Sequence, residues 1–251
     1  MFILRPYIFS KFKELIFGFS TKPDQESQPP FNFNLSLTVG DEIIKVKENR
    51  KKFFTALRID EERVAYQKQV HSDKITVVSH PGSQGESDAM ITAETNLALA
   101  ISTADCVPVF LYDNSAKVIA AVHSGWRGTY KKILMKTLLT LKTDFNLKTE
   151  NITAYIGPSI SMQNYEVGEQ VASLFDNQVV NRREGRYFID LKKANYHMLI
   201  EQGVPPSNIQ CSGLCTFEMP CFLHSYRRDG KYSGRSLGVI AISRNDAGFK
   251  N

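Results

Sequence analysis

Two histidines and one cysteine carry the chemistry this sequence can be seen to offer. His71 closes Gln69-Val70-His71, and Cys106 lies within Thr103-Ala104-Asp105-Cys106-Val107-Pro108. His123 opens His123-Ser124-Gly125-Trp126-Arg127-Gly128-Thr129. Two imidazoles and a thiolate form a strong three-ligand set for Zn²⁺, and three protein ligands rather than four leave a coordination position for water or substrate. That is the pattern of a catalytic metal centre held by His71, Cys106 and His123. The plain alternative is a buried structural cysteine with two unrelated histidines. The glycines, the single tryptophan Trp126 and Arg127, all close behind His123, weigh against it. Asp105, adjacent to Cys106, is a candidate acid/base or an orienter of the ligand; a carboxylate capping a strand turn is the competing reading.

Such a set needs rigid elements to bring it together. Short runs rich in β-branched residues predict strands over 75–78, 97–102, 107–112, 118–122, 152–156 and 237–242. His71 then precedes a strand, Cys106 falls in the turn between two, and His123 closes one, so all three sit at element ends that can converge while leaving room for a substrate. Helical spacing over 129–141 places Ile133, Leu134, Leu138 and Leu141 on one face. Further helices are expected over 169–175 and 192–202, the latter stopped by Gly203 with Pro205 beyond. Residues 20–30, rich in Pro, Ser, Gln and charge, read as a surface loop. Strands mixed with occasional helices give an α+β fold: a single compact domain over 1–251, with a mixed β-sheet and flanking helices.

The composition sets outer limits. With 251 residues, 42% apolar and 23% charged, the chain is an ordinary globular protein. Its 31 basic against 26 acidic residues give a net charge of only +5, scattered rather than striped, so no nucleic-acid partner is expected. The N-terminal apolar stretch is broken by charges and Pro6 before a signal core could form, and no run approaches a membrane span. Four cysteines without paired spacing suit a reducing compartment, and the expected location is cytoplasmic.

The combined motifs resemble the family variously called multicopper polyphenol oxidase (laccase-like), laccase-domain purine nucleoside phosphorylase and peptidoglycan editing factor. The resemblance runs through Phe33-Asn34-Leu35, Val39-Gly40-Asp41, Asn49-Arg50, the three metal-site motifs and Ile156-Gly157-Pro158-Ser159-Ile160. It continues through Tyr165-Glu166-Val167-Gly168, Asp190-Leu191, Cys215-Thr216 and Ser225-Tyr226-Arg227-Arg228-Asp229-Gly230 to Gly234-Arg235. The glycine-rich turn usual near the start is replaced by Lys22-Pro23-Asp24-Gln25. The resemblance implies zinc on the residues matching His71, Cys106 and His123, and phosphorolysis of adenosine, inosine and methylthioadenosine with adenosine deamination beside it. Copper-dependent phenol oxidation is also ascribed to the family.

Physical chemistry ranks these activities. The five histidines, His71, His80, His123, His197 and His224, are too few for a trinuclear copper cluster plus a blue site. One His₂Cys copper centre stays possible in principle. Zinc acidifies water, which suits attack on an electron-poor purine carbon, although the familiar H-x-E with P-C-x-x-C deaminase signature is absent. Phosphorolysis needs an anion site, and the glycine-containing turn 124–129 leads into a helix whose N-terminus favours one. Arg127 in that turn could clamp phosphate. Asn49, Arg127, Arg228 and Arg235 are therefore the substrate-binding candidates, and Asp105, Cys106 and Arg127 the catalytic ones. Each arginine has a solvated or structural role as its alternative. Cys211, Cys215, Cys221 and His224 lack a C-x-x-C knuckle and read as buried free thiols with a separate histidine. The cofactor expected is zinc, with copper as the alternative; the partners are a nucleoside and phosphate, and a monomeric state fits. The rival activities are editing of a peptidoglycan precursor as an amidase, for which Cys106 and His123 could serve as nucleophile and base, and copper-dependent polyphenol oxidation.

Overall fold

The computed structural model describes residues 1–243. Two six-stranded sheets face each other. The first runs, in spatial order, Ile3–Leu4, Leu15–Ser20, Ser236–Ile242, Ala98–Thr103, Val64–Lys68 and Gly82–Glu86. The second runs Ile209–Cys211, Ile152–Ile156, Val107–Asp113, Val118–Ser124, Ala89–Thr92 and Ile75–Val77. Both mix parallel and antiparallel pairs. A small three-stranded sheet, Glu166–Val167, Arg186–Ile189 and Val180–Arg183, lies apart from them in the hydrogen-bond pattern. The fold is α+β, with two large mixed sheets where the sequence suggested one.

Layering explains the continuous apolar runs. Phe17, Phe19, Leu99, Ile101 and Ile240 from the first sheet meet Met90, Phe110, Tyr112, Ile119 and Tyr155 from the second. Phe17 and Phe110 pack edge to face at 4.8 Å. The approach is tight enough that a Cβ on Gly238 would stand 2.3 Å from Phe110, so glycine is required there. Outside the second sheet, Val109, Leu111, Ala120 and Val122 are covered by Ile133, Leu134, Leu138, Leu191 and Leu199 from two helices. Outside the first, Ala98, Ala100, Leu237 and Val239 lie under Phe53, Phe54 and Leu57 of the helix Ile43–Leu57. Strands Val107–Asp113 and Val118–Ser124 are thus buried on both faces and lose the alternation of a half-exposed strand.

All six expected strands are present. The helix expected over 129–141 is in fact two, Trp126–Tyr130 and Ile133–Asp144, because Lys132 takes a left-handed φ of 59° that ends the first and starts the second. Glu169–Ala172 is a single short turn, whereas Leu191–Glu201 is capped by the Asp190 side chain, which accepts from Lys193 N at 2.8 Å. No helix or strand occurs between Ser20 and Ile43, and this segment is fastened by Asp24 to the N-terminal amine and to Lys52. No helix among the described residues is long and apolar enough to cross a membrane.

Candidate metal centre and substrate site

The chain passes from the first sheet to the second three times, and two of these crossings deliver a candidate ligand. His71 lies between Val64–Lys68 and Ile75–Val77, and Cys106 between Ala98–Thr103 and Val107–Asp113. His123 stands near the end of Val118–Ser124, opposite Pro108 in the adjoining strand. Their ligand atoms all lie within 4.8 Å of one another, and Cys106 Sγ is 3.8 Å from His71 Nε2. Donors on one tetrahedral zinc stand about 3.3–3.7 Å apart, so this set needs only slight contraction to fit the ion. The rings of His71 and His123 meet edge on at 5.0 Å. A Cβ on Gly125 would lie 2.9 Å from Cys106 Sγ and 3.0 Å from His71 Cδ2, so this glycine makes room for the ligands.

Asp88, which gave no signal in the sequence, organises the set. It is fully buried, just before strand Ala89–Thr92. Its Oδ1 accepts from His123 Nδ1 at 2.8 Å and from His71 N at 3.1 Å. Its Oδ2 accepts from Val70 N, Ser72 N and Ser72 Oγ at 3.2, 2.6 and 2.7 Å. A carboxylate only accepts, so His123 carries its proton on Nδ1 and presents Nε2 to the metal. The three amides hold His71 in a left-handed turn, φ 56°. Burial alone would raise the Asp88 carboxyl, but hydrogen bonds from His123 and Ser72 outweigh it and hold the group at about 2. Burial likewise opposes ionisation of the Cys106 thiol, yet His123 and His71 bring it down to about 6. Burial disfavours the imidazolium of His123, while Cys106 and Asp88 raise it to about 9. Without metal, the two opposed shifts favour the thiolate of Cys106 and the imidazolium of His123 as a pair.

Asp105 sits at φ 85° and is nearly buried. Its carboxylate accepts from Thr216 Oγ1 at 2.6 Å and from Arg227 N at 2.7 Å, and its carbonyl accepts from Ile160 N at 3.0 Å. It is therefore tied into three neighbouring segments beside Cys106. Thr103 closes the same turn, donating to the Cys106 carbonyl at 2.6 Å.

The other candidates separate sharply. Arg127 is exposed, with its guanidinium 4.3 Å over the ring of Trp126, which packs partly buried against the core. Ser124 and Thr129 are buried and their hydroxyls face each other at 2.9 Å, so Arg127 is the exposed side chain of this turn. Arg228, expected as a substrate ligand, is instead a structural tie. It donates to the carbonyls of Thr216, Phe217 and Leu223 and pairs with Asp229 through two nitrogens. Asn49, also expected at the substrate, is buried in helix Ile43–Leu57, where it donates to the Asn34 carbonyl at 3.0 Å. Asn34 in turn accepts from Arg235 N, so Asn49 braces the Arg235 segment rather than offering a free amide. Arg235 is partly buried, with Nη1 on the carbonyls of Ser233 and Gly234 and its guanidinium 5.3 Å from the Tyr226 ring. Burial lowers Arg235, and Asp105 and Cys106 counter that, which puts its charge near the metal ligands. Tyr165 stands in the same neighbourhood: burial and Cys106 push its phenol up, and Arg227 and Arg127 oppose the shift. Among the described residues, no second group of His, Cys, Asp and Glu converges as a metal site; of the thiols expected to be buried, Cys215 is, whereas Cys211 and Cys221 are exposed.

The chain is similar to known proteins over most of its length. A protein of Bacteroides thetaiotaomicron named purine nucleoside phosphorylase is 35% identical over 231 residues, 85% of this chain and 86% of that one. Another so named, from Clostridium acetobutylicum, is 36% identical over 93% of this chain and 95% of its own length. The crystal structure of YlmD from Geobacillus stearothermophilus superposes with a TM-score of 0.90 at 30% identity, covering 96% of both chains. The family model described as multi-copper polyphenol oxidoreductase laccase matches residues 16–243, and the chain belongs to that family.

Proposed function

We propose that this chain is a zinc-dependent purine nucleoside phosphorylase acting on adenosine, inosine and methylthioadenosine, with adenosine deamination as a side activity. The observation that carries the reading is the three-donor group His71, Cys106 and His123 with Asp88 behind it, in a chain whose relatives bear the name purine nucleoside phosphorylase. Bound there, zinc would supply Lewis acidity beside the substrate. Asp88 keeps His123 in one tautomer, and Gly125 keeps the ligand pocket clear of side-chain bulk. The thiolate of Cys106 and two imidazoles favour zinc over the oxygen-loving cations. The one donor group among the described residues cannot hold a cluster and a separate blue site, which argues against a multicopper centre. In the phosphorolysis itself, the exposed guanidinium of Arg127 and the amides of Trp126, Arg127 and Gly128 offer donors to phosphate. Trp126 under Arg127 holds that charge in place.

The test is product analysis from adenosine across a phosphate series. Phosphorolysis gives adenine and ribose 1-phosphate, whereas deamination needs no phosphate and gives inosine, counted together with the hypoxanthine its own phosphorolysis yields. Arg127→Ala should lower adenine formation by roughly one to three decades and spare inosine, as removal of one charge-assisted clamp predicts. Equal loss of both products would make Arg127 structural, and neither product from wild type would overturn the phosphorylase reading.

A further inference from the structure

We propose that Arg227 is an anion ligand of this site and that Asp105 is the positioning residue that fixes it in one frame with Cys106. The inference rests on phosphate being a co-substrate, and it concerns a residue whose neighbour, Arg228, looks equivalent in sequence. The two arginines differ completely in what they touch. Arg228 sends its nitrogens to three carbonyls and to Asp229, which leaves nothing for a ligand. Arg227 is exposed and uses Nη1 on the Glu166 carbonyl at 2.9 Å. Its other guanidinium nitrogens have no partner among the described residues, and the group lies 5.2 Å from the centre of the Tyr165 ring. A guanidinium held by one nitrogen and an aromatic ring keeps a fork of N–H groups at a set orientation, which suits a tetrahedral oxyanion.

The backbone ties this fork to the metal ligands. Asp105 Oδ2 accepts the Arg227 N–H at 2.7 Å, and its Oδ1 is satisfied by Thr216 at 2.6 Å. Both oxygens are thus used for placement, and the residue that follows Asp105 is the ligand Cys106. Holding Asp105 at φ 85° is unfavourable for a residue with a side chain, so the carboxylate contacts must repay that strain. Asp88 and Asp105, the carboxylates bonded to the ligand segments, each have both oxygens committed to hydrogen bonds.

Inorganic phosphate binding to the zinc-loaded protein, followed by calorimetry, tests this directly, with zinc content and melting temperature measured on every variant. Arg227→Ala should weaken phosphate roughly 10- to 100-fold, as loss of a charge-assisted hydrogen-bonding partner predicts, with zinc content and melting temperature unchanged. Arg227→Lys, which keeps the charge and loses the fork, should recover only part of the affinity. Arg228→Ala should lower the melting temperature instead and leave phosphate affinity in place. Asp105→Asn puts an amide donor against either Arg227 N–H or Thr216 Oγ1; it should weaken phosphate and also shift the thiolate-to-metal absorption of the cobalt-substituted protein, which a merely structural change far from Cys106 would not move. Wild-type affinity in Arg227→Ala overturns the inference while leaving the phosphorylase reading intact. Absence of phosphate binding in the wild type, together with absence of adenine formation, overturns both.

Discussion

Replacing Asp88 with asparagine tests the proposed centre most directly, because the change removes one charge and almost no volume. The carboxylate serves five donors divided between its oxygens: His123 and His71 on Oδ1, Val70 and Ser72 on Oδ2. An asparagine has one oxygen, so its NH₂ must face one of these sets. Turned towards His123, it favours an imidazole that accepts on Nδ1 and carries its proton on Nε2, the atom the metal needs. Turned the other way, it confronts the Val70 and Ser72 amides and disturbs the loop that carries His71. Either choice spoils one ligand. Loss of such a carboxylate–histidine contact weakens metal binding roughly 10- to 100-fold, or about 1.4–2.8 kcal/mol. Competition with a chromophoric zinc chelator reads this out. A zinc affinity in Asp88→Asn equal to wild type would refute the assignment of Asp88 as the organiser of the centre. The metal-free protein offers a second readout. The Asp88 carboxyl is held near 2 against an ordinary 3.8, so its contribution is present above pH 3.8 and lost as the pH falls towards 2. That depression corresponds to about 2 kcal/mol. Melting temperatures between about pH 5 and about pH 2 should fall more steeply for wild type than for Asp88→Asn.

Two further outcomes follow from the same geometry. With Cys106 near 6 and His123 near 9, the metal-free pair holds one proton between those values, and zinc must expel it from His123. Calorimetry in buffers of different ionisation enthalpy should therefore find about one proton released from this pair at neutral pH, rising below pH 6 and vanishing above pH 9; no release at neutral pH would contradict the ion pair. Gly125→Ala should weaken zinc by forcing Cys106 and His71 apart, at an overpacking cost of about 1–3 kcal/mol. Full zinc affinity in that variant would show that the ligands do not need the space.

The sequence shows the metal ligands because each lies in a dense local motif, and the strands because their apolar runs are continuous. It does not show Asp88. Ser87-Asp88-Ala89 has no special composition, and Asp88 reaches both histidines only because strand Ala89–Thr92 pairs with Val118–Ser124. That pairing also sends His123 N to the Asp88 carbonyl at 2.7 Å, fixing the side chains next to each other. The two-sheet layering was hidden for a related reason: a strand buried on both faces has no alternation to show which neighbour covers which side. Helix Ile43–Leu57 is masked because Ile43 and Ile44 at its start are exposed, which blurs the face formed by the buried Val46, Asn49, Phe53, Phe54 and Leu57. The split at Lys132 depends on one left-handed residue that carries no glycine to announce it.

The arginines show where local reading stops and geometry takes over. Arg227 and Arg228 share a motif, a charge and an almost identical sequence environment. Their difference arises from the short helix Tyr226–Asp229, whose Ser225 cap accepts Arg228 N at 3.2 Å while Asp105 takes Arg227 N. Once those amides are fixed, one side chain turns towards the carbonyls of 216, 217 and 223, and the other lies along Tyr165. Asp105 is thus read in two ways by the same chain. Its position before Cys106 marks it for the site, but its two accepted hydrogen bonds make it a brace rather than a base. The same residue type one layer away, Asp88, braces the other two ligands. On the proposed reading, two buried carboxylates set zinc binding and anion binding, each holding a ligand or its neighbour in place.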